Sequence, residues 1–276
     1  MNQKILCSTE TSLKYSALRG LDTAFSIYID SKKSLLRNSY KSSLYFSENN
    51  IGYLYISGLA LQHSKSHNLP PLEIAHAIAS HLITIQNDFD VLIVAPGWIH
   101  LRLTDLTLSN WLQNIAVSPV PQPSTTTNAS NLFPIQYAHA RCCSLLRLAH
   151  LDGSLLLIQP LPDDNAVSWR VISPNPIPWL DSAQIRLKTT AESRLIAKLI
   201  QAVDDLAPLN ACANFELAAR EVSQAFEIFW SCCHIWGEVK INSLPLAQAR
   251  LGLVLVTQTV LRSLLHRLGA IAPLEL

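Results

Sequence analysis

The sequence predicts a small α+β domain followed by an all-α helical bundle that carries an inserted β-hairpin. Three observations predict it. Short strand and helix signals alternate through the first 115 residues. A stretch rich in proline, serine, threonine and asparagine, almost without large apolar side chains, occupies 116–131. From 132 onward, apolar residues recur at helical spacing. The division expected is therefore a domain over 1–115, a linker over 116–131 and a second domain over 132–276. With 276 residues, 49% of them hydrophobic and 15% charged, the chain can bury two cores and does not read as disordered.

In the first domain, Leu13, Leu18, Leu21, Phe25 and Ile29 predict an amphipathic helix from about Ser12 to Asp30. The next stretch, to Asn50, holds Lys32, Lys33, Arg37 and Lys41, as a solvated connection or a phosphate-facing edge. GYLYISGLALQH follows, then Pro70-Pro71 and the helix LEIAHAIASHL, with Leu72, Ala75, Ile78, Ala79 and Leu82 expected inward. Asp90 to Val94 reads as a buried strand, Pro96-Gly97 as a turn and Trp98 to Leu103 as an alternating strand. Thr104 to Leu112 opens like a capped helix.

The second domain begins with FPIQYAHARCCSLLR, from Phe133 to Arg147. Pro134 suits a first helical turn, where its missing N–H costs little. Ala138, Cys142, Leu145 and Ala149 form one apolar stripe. Tyr137, Arg141 and Ser144 share another, so an aromatic ring and a guanidinium point the same way. That pairing holds a nucleotide base by stacking beside a phosphate; it also describes an ordinary bundle helix with a boundary tyrosine and a solvated arginine. Leu155 to Ile158 and Val167 to Ile172 flank PLPDDNA as a hairpin, and a proline-dense loop with Trp179 follows. Within this insertion, 154–180, Trp169 and Trp179 are candidate anchors for a protein partner. Three helical stretches close the chain. In the second, Leu217, Val222, Ala225, Phe226, Phe229 and Cys233 are expected inward. In the last, the core stripe is Leu251, Val254, Leu255, Gln258, Leu261, Leu265 and Leu268, and the opposite face shows Thr259, Arg262, Ser263 and His266.

Composition narrows the function classes. Net charge is +1, from 21 basic and 20 acidic residues, so broad electrostatic attraction to DNA or RNA is not expected. Any RNA contact has to come from stacking and local cations, with Arg141, Arg147, Arg262 and His266 as candidate phosphate contacts. Eight glycines argue against a glycine-rich phosphate cradle, and six cysteines without C-x-x-C spacing argue against zinc. No cofactor is expected. The N-terminus lacks a signal-peptide core, and the apolar run from Leu251 to Leu261 is broken by Thr257, Gln258 and Thr259. A cytoplasmic protein without a membrane span is the expectation. G-x-S-x-G, H-E-x-x-H, G-x-x-x-x-G-K and G-x-G-x-x-G are all missing.

QYAHARCCSLLR, from Gln136 to Arg147, resembles the opening of the anticodon-binding helical domain of arginyl-tRNA synthetases, the DALR domain, where YAHAR is a hallmark. AFEIFWSCCHI, from Ala225 to Ile235, is similar to that family's A-F-x-x-F-Y-x-x-C-x-V stretch, and the segment from Ala249 to Leu276 to its ARL…VL…APE-x-M ending. NLPPLEIAHAIASHL and VLIVAPGWIHLRLTD resemble its N-terminal additional domain, with Pro96 to His100 at the PGFIN-like turn. The resemblance implies an anticodon loop held by Tyr137, by His234 after the family cysteine and by Leu276 at the place of a terminal methionine. It also implies a contact near Tyr55, in the region of the GDY-x-SN motif, where Gly58 replaces the usual asparagine. The family's catalytic domain falls where this chain has only its linker, and no HIGH-like segment occurs. The expectation is a non-catalytic tRNA-binding protein for an arginine acceptor. The alternative is a protein-interaction module that has given up RNA.

Overall fold

The computed structural model describes residues 11–31, 42–49, 52–67, 69–117, 132–158, 169–207 and 213–276. These form two compact units. One runs from Leu13 to Thr107; the other from Leu108 to Leu276, together with Thr11 and Ser12.

The first unit opens with α1 (Leu13–Ser31), whose Leu13, Leu21 and Phe25 are buried as their spacing predicts. Two strands follow, β1 (Tyr45–Asn49) and β2 (Gly52–Ser57), then α2 (Leu59–His67) and α3 (Pro71–Ile85). β3 (Phe89–Val94) and β4 (Trp98–Leu103) complete an antiparallel sheet in the order β1-β2-β4-β3. Helices α2 and α3 cover one face, and α1 packs on α3. β1, polar and at the sheet edge, was not foreseen; the basic cluster from Lys32 to Lys41 lies outside the described residues. Three expectations need correction. Leu72 is 41% exposed, and Ile74 takes the buried place in α3. β3 is not buried on both faces: Asp90, Leu92 and Val94 are exposed while Phe89 faces the core. Tyr55 is 1% exposed, its ring edge-on to Phe46 and Phe89. Burial of a side chain that size stabilises by about 1.5–3 kcal/mol, so it is held as core and is not a contact residue. The Pro96-Gly97 turn is real. Gly97 sits at φ 154° with the Pro71 backbone only 2.9 Å from where a Cβ would be, so any side chain there collides.

α4 (Asp105–Ala116) starts in the first unit, but from Leu108 onward it belongs to the second. Its Leu108, Trp111, Leu112 and Ile115 are buried. The Trp111 indole donates to the Thr11 carbonyl, and Gln113 Oε1 accepts from the Ile177 amide and the Trp179 indole. The division thus falls at 107/108, ahead of the expected 115/116, because this apolar face serves the helical unit. Of the expected linker, 116–131, Ala116 closes α4 and 118–131 lies outside the described residues.

The helical unit continues with α5 (Phe133–Leu151), β5 (Leu156–Ile158), β6 (Arg170–Ser173), β7 (Leu180–Asp181) and β8 (Gln184–Ile185). β5 pairs with β6 as the foreseen hairpin, and β7–β8 is a second, very short one. Trp169 and Trp179 are only 2% and 3% exposed, so neither is available as a docking anchor. Trp179 and Ile177 instead press on the last helix at Gly252, leaving no room there for a Cβ. α6 (Thr190–Leu206), α7 (Phe215–Cys232), the single turn α8 (Glu238–Asn242) and α9 (Leu244–Arg267) complete the unit. α6 starts on a full capping box between Thr189 and Glu192. In α7, Leu217 points outward, 53% exposed, and Ala218 takes the inner place.

α9 is the core of the unit, packed by α5, α6, α7 and α8. Thr259, Arg262 and Ser263 are buried, not on an open face as its sequence predicts. The hydroxyls manage this by donating to carbonyls four residues back: Thr257 to Leu253, Thr259 to Leu255 and Ser263 to Thr259. α9 spans 24 residues, longer than its interrupted apolar run predicts, and by length and composition it is apolar enough to cross a membrane. Its burial inside the unit is that of a core helix.

Candidate nucleic-acid interface

α5 organises the surface. Ile135, Ala138, His139, Cys142, Cys143, Leu145, Leu146 and Ala149 are buried, chiefly against α9 and α7. That leaves Phe133, Tyr137, Arg141, Ser144 and Leu148 facing out along one stripe. Phe133 and Tyr137, 62% and 45% exposed, stack with ring centroids 6.3 Å apart and planes 29° from parallel. One turn on, the Arg141 guanidinium lies 5.1 Å above the Trp230 ring of α7. Among the described residues no ion pair engages it. A cation over tryptophan in this geometry gains about 0.5–1 kcal/mol at an exposed site.

Trp230 meets Trp236 edge to face at 6.2 Å, and the Trp236 indole N–H donates to Asp152 at the end of α5. Lys240 pairs with the same carboxylate at 3.1 Å. Burial pushes the Asp152 carboxyl upward. Hydrogen bonds from Ser154, Trp236 and Lys240 outweigh it and hold the group below the usual carboxylate range, so it stays ionised. Among the described residues, the row from Phe133 to Trp236 therefore sets two pairs of aromatic rings around one available cation, Arg141, and ends on an ionised carboxylate paired with Lys240.

A second component is the segment after α9, which has no helix or strand of its own. Gln136 donates to the Ile271 carbonyl at 3.0 Å. His139 Nδ1 donates to the Pro273 carbonyl at 2.8 Å, and its Nε2 accepts from Gln258 Nε2 of α9 at 2.8 Å. Arg147 donates to the Leu274 carbonyl at 3.0 Å and pairs with Glu275 at 3.1 Å. Burial drives His139 down to about 4; the Pro273 bond opposes this, and the charges of Arg262 and His266 add to it. The imidazole is therefore neutral near pH 7, with its tautomer set by its two partners.

The sequence-predicted residues sort accordingly. Tyr137 and Arg141 stand together and exposed. Leu276, 67% exposed, is carried by the segment bound to α5, and His266 is half-buried beside His139. His234 is exposed on the loop after α7, its carbonyl accepting from Arg250. Arg147 is not a loose cation: it is committed to Leu274 and Glu275. Arg262 is 8% exposed, faces Cys143 and His139, and burial pulls it below the usual guanidinium range, so its expected phosphate contact is withdrawn. Tyr55 is core, as described above. Sequence reasoning missed Phe133 and Trp230. Trp230 was legible, since it occupies the tyrosine place in the A-F-x-x-F-Y pattern that Ala225 to Phe229 already match. Cys142 and Cys143 are fully buried, and burial pushes the Cys143 thiol up to about 11; both are protonated packing residues.

Residues 135–276, just over half of the chain, match the DALR anticodon binding domain. Among curated proteins, the chain is 31% identical over 147 residues to the arginine–tRNA ligase of Desulforamulus reducens, covering 53% of this chain and 22% of that one. It is 33% identical over 141 residues to the enzyme of Methanocaldococcus jannaschii, with 50% and 20% covered. Against that of Gloeobacter violaceus it is 35% identical over 143 residues, with 50% and 21% covered. The chain thus spans about a fifth of the length of these relatives. No solved structure matches it at a significant level.

Proposed function

The chain belongs to the DALR anticodon-binding domain family, and on that footing we propose that it binds the anticodon arm of a tRNA, an arginine acceptor, without aminoacylating it. The carrying observation is the exposed Tyr137 ring one helical turn from the Arg141 guanidinium, which lies over Trp230 and has no ion-pair partner among the described residues. A loop base stacks on Tyr137, Arg141 takes an adjacent phosphate, and Trp230 offers a second face beside it. His234 and Leu276 border the same contact. Arginine identity rests on the kinship with arginine–tRNA ligases. The non-catalytic reading rests on the lack of a HIGH-like segment in these 276 residues.

A titration of arginine tRNA against other tRNAs tests this. Tyr137→Ala is expected to weaken arginine tRNA binding by about 1–3 kcal/mol, the value of one stacked base. With Arg141 as the one arginine of the face outside an ion pair among the described residues, the salt dependence is expected to be shallow, corresponding to roughly one or two phosphates. Equal, weak binding to all tRNAs, unmoved by Tyr137→Ala, defeats the proposal.

A second reading, a protein-interaction module, draws on the hairpin, whose Leu156, Ile158 and Ile172 are 43%, 41% and 54% exposed. Recovery from cells of a stoichiometric protein lost on changing these three to serine, with no RNA present, would favour it.

A further inference from the structure

Resting on the RNA reading above, we propose that His139 is a positioning residue: it fixes the segment after α9 so that Ile271 and Leu276 form a second wall of the RNA face beside Tyr137. The segment cannot hold itself, having no ladder or helix. Three side chains of α5 capture its carbonyls in order, Gln136 taking Ile271, His139 taking Pro273 and Arg147 taking Leu274. Gln136 and Arg147 reach from partly exposed positions, where water competes for the same groups. The His139 ring itself is fully buried; its bond to Pro273 is part-buried, and its opposite nitrogen is locked to Gln258 of the core helix in a buried bond. The ring therefore ties the segment to the most deeply packed element of the unit. It has to donate on one side and accept on the other, which a neutral imidazole does with rigid geometry. Facing it are Arg262 and His266 of α9, whose charges disfavour a charged ring and keep the acceptor nitrogen unprotonated, and Cys143 of α5.

The outward side shows why a fixed segment matters. Ile271 and Leu276 are each 67% exposed, apolar side chains on a backbone that is pinned rather than buried. Gln136, which holds Ile271, immediately precedes Tyr137. A wall ordered before the ligand arrives spares the ordering cost on binding.

The test reads backbone NMR order parameters of the non-proline residues of 271–276 in the RNA-free protein, and separately its affinity for the anticodon stem-loop of an arginine tRNA. In His139→Ala, the order parameters of the segment are expected to fall from about 0.85 to below about 0.6 while the middle of α9 stays rigid, and affinity to fall roughly five- to twentyfold. His139→Asn, which keeps a donor near the Nδ1 position, is expected to recover much of both. Gln136→Ala with Arg147→Met loosens the segment from the surface and is expected to weaken binding in the same direction, so the test survives if His139→Ala unfolds. Wild-type binding accompanied by unaltered order parameters in the variants overturns the positioning role, as does a freed segment with unchanged affinity. A wild type that binds no tRNA, its order parameters notwithstanding, brings down the functional reading and this role with it.

Discussion

Arg250→Ala is expected to cost about 3–5 kcal/mol of stability, the usual penalty for removing one partner of a buried ion pair. Arg250 Nε lies 2.6 Å from Glu192 Oε1, with side chains 9% and 1% exposed. Glu192 is also the closing half of the α6 capping box: its Oε2 accepts from the Thr189 amide at 2.8 Å while Thr189 Oγ1 accepts from the Glu192 amide at 3.2 Å. Arg250 additionally donates to the His234 carbonyl. One guanidinium thus joins α9, the start of α6 and the loop after α7. Alanine leaves a carboxylate sealed without a counter-charge, and the helix start and the loop lose their shared support. Glu192→Gln combined with Arg250→Met removes both charges and is expected to recover part of the loss, because the amide can still cap α6. Urea unfolding at pH 7 checks this: the midpoint should fall with the slope unchanged. A loss below about 1 kcal/mol would show that the pair does not hold these elements together.

The second large effect is on acid stability. His139 titrates near 4 in the folded protein against an ordinary 6.5, with burial the main cause. The unfolded chain therefore binds a proton at a higher pH than the native one does. A histidine so depressed contributes its full stability above about pH 6.5 and loses it progressively as pH falls toward 4. The shift corresponds to roughly 3 kcal/mol across that window. Unfolding free energies of wild type and His139→Asn, measured from pH 7 to pH 4, should diverge by about that amount in total over the window, with the variant's curve flatter. Asp152, held below the usual carboxylate range, adds its own loss only at lower pH. Parallel curves for the two proteins would show that the imidazole does not titrate as its burial implies.

Much of the fold was legible because helical and alternating periodicities report which face meets a core. α1, α3, β4, α5 and the β5–β6 hairpin follow from them. Phase errors came near helix starts: Leu72 and Leu217 sit in first turns, where one residue of offset exchanges the inner and outer faces, and Ile74 and Ala218 hold the buried places. β1 escaped because YFSEN is polar and lies at a sheet edge. The larger misreading concerned α9. Threonine and serine look like a solvated face in sequence, yet each can return its hydroxyl to its own helix and enter the core at little cost. Arg262 was misplaced for the same reason, being counted with neighbours that are themselves buried. At the site, Tyr137 and Arg141 were readable from spacing, whereas the α9-following segment was not. Its partners Gln136, His139 and Arg147 lie more than 120 positions away in sequence, and no local pattern announces such a bond.

The all-round burial of α9 also governs what can be removed from this chain. Of the elements that carry the α5 face, none could keep its shape in a fragment ending before Leu244, because that cut withdraws the common wall of the four helices packed on it. Proteolytic clipping or truncation on that side is all-or-nothing for the surface bearing Tyr137.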